Sequence, residues 1–205
     1  MPEKYRFESF ALVVDKEEGS LFSPYELFHE NSKFDEHVSL PEFQKIVDIR
    51  SNPQLIKVMS RAFKEYPGLK TISLPYDVDL GEMPLGEAIR LRRSVRHFTG
   101  ETIPLEQLSA LLLYSNGITG QFTYAFRNPE IQYLRAAPSA GALYPIEIYP
   151  VILHVEGVAQ GIYHYQVKEH ALVELYTGDC LSLIPPLLTG QIFTRECAAI
   201  FLLTA

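Results

Sequence analysis

The segment Pro138-Ser139-Ala140-Gly141-Ala142-Leu143-Tyr144-Pro145 leads directly into a long apolar run, Ile146 to Val155. Its small residues allow backbone N–H groups to approach a ligand closely, and Ser139 adds a hydroxyl. Leu143 and Tyr144 are expected to flank a flat ring. The alternative interpretation is an ordinary tight turn before a strand. The apolar run itself predicts a buried strand, apolar on both faces.

A second segment, Arg92-Arg93-Ser94-Val95-Arg96-His97-Phe98, concentrates positive charge in an otherwise acidic chain. If a helix ends near Arg93, several guanidinium groups and one hydroxyl can converge on one anion. Arginine suits phosphate because its planar fork makes bidentate, charge-assisted hydrogen bonds. The alternative is a solvated helix face whose arginines pair with acidic neighbours, namely Glu82, Glu87 and Glu101. The two segments together favour a cradle for an anionic, flat cofactor.

The composition is that of an ordinary soluble globular protein, with 205 residues, 47% hydrophobic and 21% charged. A net charge of −7 argues against non-specific nucleic-acid binding, which needs a broad basic surface. We see no signal-peptide pattern at the N-terminus and no apolar stretch of the roughly 18 residues that a membrane span requires. Cys180 and Cys197 are expected to be two reduced, buried thiols in a cytoplasmic protein.

We expect two regions, an N-terminal extension over residues 1–81 and a second region over residues 82–205. The extension shows helical spacing of apolar residues over 40–49 and 53–63. In the second region, helices are predicted over 84–93 and 104–115. The second helix has Pro104 at its start, Gly117 after its end and a leucine core stripe of Leu105, Leu108, Leu111 and Leu112. Residues 116–129 are predicted to form a loop.

The C-terminal part of the chain predicts an antiparallel sheet. Residues 161–165 and 171–175 read as the two strands of a hairpin, and 179–189 as a short, interrupted helix. Residues 198–205 are expected to form a central strand. Because a central strand needs partners and cover on both faces, we expect the chain to be the N-terminal part of a longer protein. The predicted fold class is α+β, a mixed, mainly antiparallel sheet flanked by helices, with a helical N-terminal extension.

The two segments resemble the nitroreductase superfamily of FMN-dependent oxidoreductases, and more closely its SagB-type branch, which includes the azoline (thiazoline/oxazoline) peptide oxidases. The resemblance extends from about Glu82 to Ala205, and residues 135–150 are its most specific part. It also reaches residues 28–33, which include His29 and Glu30. Ala142 and the run Tyr144-Pro145-Ile146 stand where common nitroreductases often carry Asn and Gln-Pro-Trp, which favours the SagB-type branch.

The resemblance implies FMN as cofactor and a set of residues that bind it. Contacts to the phosphate and ribityl chain would come from Arg92, Arg93, Ser94 and Arg96. The segment along the flavin would consist of Pro138, Ser139, Ala140, Gly141 and Leu143, contributed by the second subunit of a homodimer. The family's C-terminal half, with its Lys-Tyr pair implicated in proton removal, has no counterpart in this sequence, so no catalytic residue is predicted.

The leading interpretation is therefore an FMN-dependent oxidoreductase, with oxidation of azolines in a modified peptide as one option. The alternative is a non-catalytic or split half of a flavoprotein that acts as a scaffold or partner-binding subunit. A binder of anions or nucleic acid is the weakest interpretation. We find no metal-ligating pattern and no phosphate loop, since Gly117 and Gly120 lack a lysine. His154 and His164 are expected to be sheet histidines, while Asn116 and Gly117 could approach the cofactor.

Overall fold

The computed structural model describes Val47, Asn52 and residues 63–79, 81–123, 131–184, 188 and 190–205. The chain folds as two compact units, residues 1–56 and 57–205. Val47 is helical, as expected for residues 40–49, and the remaining predictions before residue 63, including those for His29 and Glu30, lie outside the described residues. Among the described helices, none has the length and apolar character needed to cross a membrane.

The second unit is built on a five-stranded sheet in which every pair of neighbouring strands is antiparallel. The strands follow the order β1-β6-β5-β4-β7. Their bounds are β1 Thr71–Ser73, β4 Glu147–Ile152, β5 Gly161–Gln166, β6 Ala171–Thr177 and β7 Ala199–Thr204. The predicted buried strand and hairpin are thus confirmed. Because β1 pairs with β6, the sheet includes residues that precede the boundary predicted at residues 81 and 82.

A separate two-stranded sheet stands where the sequence predicts a loop. Its strands are β2, Ile118–Thr123, and β3, Ile131–Arg135, paired antiparallel with an irregularity between Ile118 and Gly120. The loop prediction over 116–129 was therefore wrong for residues 118–123. One glycine and three polar residues in β2 conceal the alternation of a strand, and its pairing with β3 supplies the backbone hydrogen bonds that the local sequence does not specify.

Two α-helices precede these strands along the chain, α1 over Leu85–Leu91 and α2 over Leu105–Asn116. Both agree with the predicted helices, and each has a proline immediately before its first residue. Gly117 follows α2 as predicted, and an added Cβ there would lie 2.5 Å from the carbonyl oxygen of Leu113. Only glycine therefore fits this end of α2 without displacement. Helices combined with an antiparallel sheet make the fold α+β, as predicted.

The main core lies between α2 and one face of the large sheet. Leu108 and Leu112 of α2 are fully buried, and Leu105 packs against the same cluster. Leu111 is 56% exposed, so its assignment to the core stripe was wrong. The reason is geometric, since one helix side packs on the sheet and Leu111 lies one residue away from Leu112, about 100° around the helix. The sheet contributes Ile148, Ile152, Tyr163, Tyr165 and Leu172 to this core.

A smaller core covers part of the opposite sheet face and contains both cysteines. Cys180 and Cys197 are free and buried, in agreement with the prediction of reduced thiols. They cluster with Val151, Leu153 and Ile184. Burial raises the pKa of each thiol, so these groups are poor nucleophiles near neutral pH.

The strand β7 occupies an edge of the sheet among the described strands, where it pairs with β4 alone. The expectation of a central strand was therefore wrong for the described part of the chain. Leu203 is 64% exposed and Leu202 is 38% exposed. Apolar composition alone does not distinguish an edge strand with exposed side chains from a central strand, because the number of partners depends on the whole topology.

The contrast between Leu112 and Leu111 gives a direct test of this core. Leu112→Ala should lower the free energy of unfolding by about 2–5 kcal/mol, because it leaves a cavity beneath α2. Leu111→Ala should change it by less than about 0.5 kcal/mol, since most of that side chain already faces solvent. Urea denaturation of the full-length protein measures both values. Similar losses for the two variants would contradict the helix orientation described here.

Candidate functional site

The arginine cluster, Arg92, Arg93 and Arg96, lies in an extended segment directly after α1. The N–H of Arg92 donates to the carbonyl oxygen of Ala88 and marks the end of the helix. Residues 92–100 are all exposed. Nη1 of Arg93 donates to the carbonyl oxygens of Arg90 and Arg92, at 2.8 Å each. The helix thus ends near Arg93, as predicted.

The glutamates near this cluster do not neutralise it. Among the described residues, the arginine cluster forms no ion pair with Glu82, Glu87 or Glu101. The alternative interpretation, a helix face held by such pairs, is therefore not the arrangement that the structure adopts. The guanidinium groups remain in water, where binding an anion costs little desolvation.

The small-residue segment, residues 138–145, forms a short 3-10 turn over Ala140–Ala142 before β4. Three of its residues have left-handed backbone conformation: Gly141 (φ 64°), Ala142 (φ 54°) and Tyr144 (φ 45°). This conformation is uncommon for residues other than glycine. The backbone N–H of Tyr144 donates to Oγ of Ser139 at 2.9 Å, which closes the turn. Pro138, Ala140, Gly141 and Leu143 are exposed, so a ligand can reach this backbone.

Tyr144 fastens the segment to the fold rather than flanking a ligand. Its side chain is 8% exposed, and its hydroxyl accepts the backbone N–H of Arg135 at 3.0 Å. The expectation that it would flank a flat ring was wrong, because its ring packs 5.0 Å from the guanidinium of Arg135. Leu143 is 40% exposed and remains available to contact a ring.

Arg135 is a buried cation that the sequence did not single out. Its guanidinium lies over the rings of Phe63 and Tyr144, at 5.4 and 5.0 Å from their centroids. Burial lowers the pKa of Arg135, and the nearby carboxylate of Glu147 acts in the opposite direction. Cation–π contacts of this kind compensate part of the cost of burying charge. This side chain therefore joins residue 63, the β2–β3 sheet and the start of β4.

Asn116, at the end of α2, supplies an unsatisfied polar group beside this segment. The residue is 6% exposed, and its Nδ2 is buried with no hydrogen-bond partner among the described residues. The next residue, Gly117, accepts the N–H of Ala136 through its carbonyl oxygen at 2.9 Å. Asn116 therefore lies close in the chain to the contact that leads into Pro138. An exposed backbone turn and an unsatisfied donor together fit a flat ligand with acceptor atoms at its edge.

A second polar cluster joins residues that are far apart in sequence. Nζ of Lys64 donates to the hydroxyl of Tyr149 at 2.7 Å, and the hydroxyl of Tyr66 lies 2.9 Å from that of Tyr149. Burial raises the pKa of Tyr149, but the hydrogen bonds from Lys64 and Tyr66 outweigh it and hold the pKa below its ordinary value. No local pattern indicates this cluster, because Tyr149 is more than 80 residues away from Lys64 and Tyr66.

His164 lies beneath this cluster, between the rings of Tyr66 and Tyr149, at centroid distances of 5.0 and 5.1 Å. Its Nε2 is 2.7 Å from Oε2 of Glu147. The expectation of a sheet histidine is confirmed for His164, which lies in β5 and bonds to a residue of β4, and was wrong for His154, which lies in a bend after β4 ends. These contacts hold residues 64–66 against the sheet and bring no second reactive group to His164.

A serine, a histidine and a tyrosine form a buried chain of hydrogen bonds that resembles a nucleophilic array. The hydroxyl of Tyr165 lies 2.8 Å from Nδ1 of His170, and Nε2 of His170 lies 2.7 Å from Oγ of Ser109. Oγ of Ser109 donates to the carbonyl oxygen of Pro75. With Nε2 of His170 carrying the proton, every hydroxyl and ring nitrogen in the chain is satisfied. All three side chains are 0–1% exposed, so the array ties α2 to the β5–β6 hairpin and is closed to substrates.

A groove on the described surface does not suit a phosphate. It has a volume of about 490 Å³ and runs beside residues 98–104 and the start of β7. Its floor is apolar, and its acidic members are Glu101 and Glu196. None of the described lining residues is a cation. The described residues also contain no group of His, Cys, Asp and Glu side chains that could hold a metal ion.

The two halves of the predicted site make no direct hydrogen bond, ion pair or ring contact with each other within the described part of one chain. The Tyr144 hydroxyl joins the small-residue segment to Arg135, Gly117 lies beside Ala136, and the arginine cluster is exposed to solvent. The assignment of these residues to a cofactor stays a prediction.

Comparison with known proteins identifies the class of fold. Residues 89–179 match the nitroreductase family, a range that contains both the arginine cluster and the small-residue segment. The crystal structure of a provisionally named nitroreductase from Anabaena variabilis superposes with a TM-score of 0.50 and 28% sequence identity. That similarity covers 78% of this chain and 27% of the other. The fold is thus nitroreductase-like.

The chain matches only part of the length of its relatives. A provisionally named nitroreductase of Methanocaldococcus jannaschii is 34% identical over 104 residues, which cover 51% of this chain and 46% of the relative. The chain therefore spans about half the length of that curated relative. A chain of the E. coli microcin synthetase McbBCD complex aligns at 20% identity over 75% of this chain and 63% of its own, with a TM-score of 0.32. That score supports no statement about substrate.

The buried array predicts a stability that depends on pH. Burial lowers the pKa of His170 below its unfolded value of about 6.5. Between the folded and the unfolded pKa of His170 the unfolded state binds more protons. The contribution of neutral His170 to the free energy of unfolding is therefore fully present above about pH 6.5, and it is lost as the pH falls from there through the lower pKa of the folded state. Unfolding free energies measured from pH 8 to 5 should show this decline.

Two variants separate this effect from other titrations. His170→Gln should be less stable at pH 8. Its free energy of unfolding should also fall less between pH 8 and pH 5, because the titration of His170 is absent. His97→Gln removes an exposed imidazole with no hydrogen bond among the described residues and should retain the decline. An unchanged pH dependence in His170→Gln would refute the assignment.

Proposed function

We propose that the protein is an FMN-dependent oxidoreductase of the SagB-type branch of the nitroreductase superfamily. The observation that carries the proposal is the arginine cluster, exposed and without ion pairs to its acidic neighbours, inside the range that matches the nitroreductase family. A cluster of cations left in water directly after a helix end is suited to a phosphate ester. The SagB-type assignment and the choice of FMN rest on the sequence resemblance.

The phosphate end of FMN would be held by Arg92, Arg93 and Arg96, with the hydroxyl of Ser94 on the phosphate or ribityl chain. The two carbonyl bonds of Arg93 fix that side chain beside the helix end and occupy only one of its nitrogens, Nη1. Its remaining N–H groups stay available to a phosphate. The free phosphate carries close to two negative charges near neutral pH, which two or three guanidinium groups balance.

The isoalloxazine ring would lie along Pro138, Ser139, Ala140, Gly141 and Leu143. Ala140 and Gly141 are exposed and carry little or no side chain, so their backbone groups can be reached by a ligand. Because Oγ of Ser139 accepts the N–H of Tyr144, its own hydrogen is free to donate to an acceptor on the ring. Leu143 supplies an apolar contact for the ring face. When bound, FMN supplies the two-electron redox chemistry, and these residues orient it.

A homodimer would bring the two halves of the site together. Among the described residues no direct contact joins the arginine cluster to the small-residue segment, which is compatible with a site to which each of two copies contributes one segment. The helix α1 offers a surface for such a contact, because Leu85, Ile89 and Leu91 are 76%, 68% and 52% exposed. Exposed apolar side chains grouped on one helix are typical of surfaces that bind another protein.

Oxidation of azolines in a modified peptide is the substrate class that the SagB-type resemblance suggests. The free thiols of Cys180 and Cys197 agree with the proposed cytoplasmic location, where thiols stay reduced. The alternative role, a non-catalytic scaffold or partner-binding subunit, predicts a protein without bound flavin. The first measurement therefore is colour: the purified full-length protein should be yellow and should release FMN on denaturation.

The arginine assignment predicts a difference between FMN and riboflavin, which lacks the phosphate. Arg92→Ala and Arg96→Ala should each weaken FMN binding by about 10- to 100-fold, the value of one or two lost charge-assisted hydrogen bonds. Riboflavin binding should change by less than about 3-fold, a difference of under 1 kcal/mol. Titration of the apoprotein with each flavin, followed by fluorescence, measures both affinities.

A matched control is Lys168→Ala, which removes an exposed cation from the turn between β5 and β6. It should leave both affinities unchanged, because its charge lies outside the arginine cluster. Equal losses for FMN and riboflavin in the arginine variants would contradict the phosphate assignment. A colourless protein that binds neither flavin would refute the proposed function and favour the scaffold.

A further inference from the structure

Asn116, at the end of α2, carries a buried hydrogen-bond donor that no described residue accepts. Its Nδ2 is buried without a hydrogen-bond partner among the described residues, and the residue as a whole is 6% exposed. A buried donor with no acceptor costs about 1–3 kcal/mol relative to one that is paired. A leucine or alanine at this helix position would avoid that cost, so the amide requires an explanation outside the packing of the core.

The contacts of the residues next to Asn116 show where in the fold its amide lies. The preceding residue, Ser115, bonds its hydroxyl to the carbonyl oxygen of Leu112, and the following residue, Gly117, accepts the N–H of Ala136. Both neighbours are therefore satisfied locally. Ile118 pairs with Arg135, so the chain after Asn116 runs alongside the residues that lead into the exposed turn at 138–143. The unpaired amide belongs to the same end of the fold as that turn.

The chemistry of the amide limits the kind of ligand atom that it can bind. An NH₂ group is a neutral donor, which suits a carbonyl oxygen or a ring nitrogen and contributes no charge against a phosphate. Cations for a phosphate lie elsewhere, in the arginine cluster. The contrast with Ser109, His170 and Tyr165 is informative, because every hydroxyl and ring nitrogen in that equally buried array has its partner.

We propose that Nδ2 of Asn116 is a hydrogen-bond donor to an acceptor atom on the edge of the flavin ring, and that it helps to select and orient the ring beside residues 138–143. This inference rests on the proposed function. Asn116 is then a cofactor-binding residue whose contribution is the same for every flavin that carries the isoalloxazine ring, whatever is attached to it. That property separates it from the arginine cluster.

Two substitutions test the donor. Asn116→Leu removes it with little change in volume, and Asn116→Asp replaces it with an acceptor in a side chain of the same shape. Each should weaken FMN and riboflavin binding to the same extent, by about 10-fold or more for the loss of one buried hydrogen bond. The absorption maxima of the bound flavin should shift, because the ring loses a polar contact. Ser115→Ala, in the same helix turn, is the matched control and should bind both flavins as the wild type does.

The stability of the apoprotein distinguishes a ligand-binding role from a structural one. If the amide binds a ligand and has no structural role, the midpoint of urea unfolding of Asn116→Leu should lie at the same urea concentration as that of the wild-type apoprotein, or at a higher one. The reason is that the substitution removes an unsatisfied buried group. A variant with lowered apoprotein stability and unchanged flavin affinity would show a structural role and overturn the inference. Asn116→Asp provides the affinity measurement if Asn116→Leu does not fold.

The outcomes also separate this inference from the proposed function. A wild-type protein that binds neither FMN nor riboflavin refutes the proposed function and, with it, the role of Asn116. Wild-type binding that persists unchanged in both Asn116 variants refutes the inference alone. Losses confined to FMN would assign Asn116 to the phosphate end and equally overturn a contact with the ring.

Discussion

The hydrogen bond from the backbone N–H of Arg135 to the hydroxyl of Tyr144 is the contact on which the candidate site depends. It fastens the end of β3 to the turn that enters β4. Together with the hydrogen bonds from the N–H groups of Ala142 and Tyr144 to Ser139, it compensates for the left-handed conformations of Ala142 and Tyr144, which residues with a Cβ rarely adopt. Burial of the Tyr144 ring against the Arg135 guanidinium adds to the same fastening. The exposed backbone of Ala140 and Gly141 is the result.

The buried polar groups of the second unit are of two kinds, those whose hydrogen bonds are complete and those with an unpaired donor. The first kind stabilises the fold, and the second can bind a ligand. The array of Tyr165, His170 and Ser109 is saturated with hydrogen bonds, so it stabilises the packing of α2 on the sheet and leaves nothing for a ligand. Asn116 is as deeply placed and unsatisfied among the described residues. Since folding tolerates few such groups, an unsatisfied donor close to an exposed turn indicates a ligand more directly than a complete array that only resembles a catalytic one.

Much of the fold was predictable because local signals mark it. Proline before and glycine after a leucine-rich run bounded α2, and alternating aromatic and apolar residues marked the β5–β6 hairpin. The errors arose where a partner decides the structure. Strand β2 is made by its pairing with β3, and the exposure of Leu111 follows from the side of α2 that packs on the sheet. The edge position of β7 likewise depends on the order of all the strands.

The sequence by itself determined the helices, the antiparallel strands and the two segments whose residues suit a phosphate and a flat ring, because capping, periodicity and side-chain chemistry act locally. The tertiary structure alone decided that Tyr144 is an anchor rather than a ligand contact, that Arg135 is buried between two rings, and that the donor of Asn116 has no partner in the described chain. These facts depend on contacts between residues that the chain brings together only when the sheet and its covering helix are assembled.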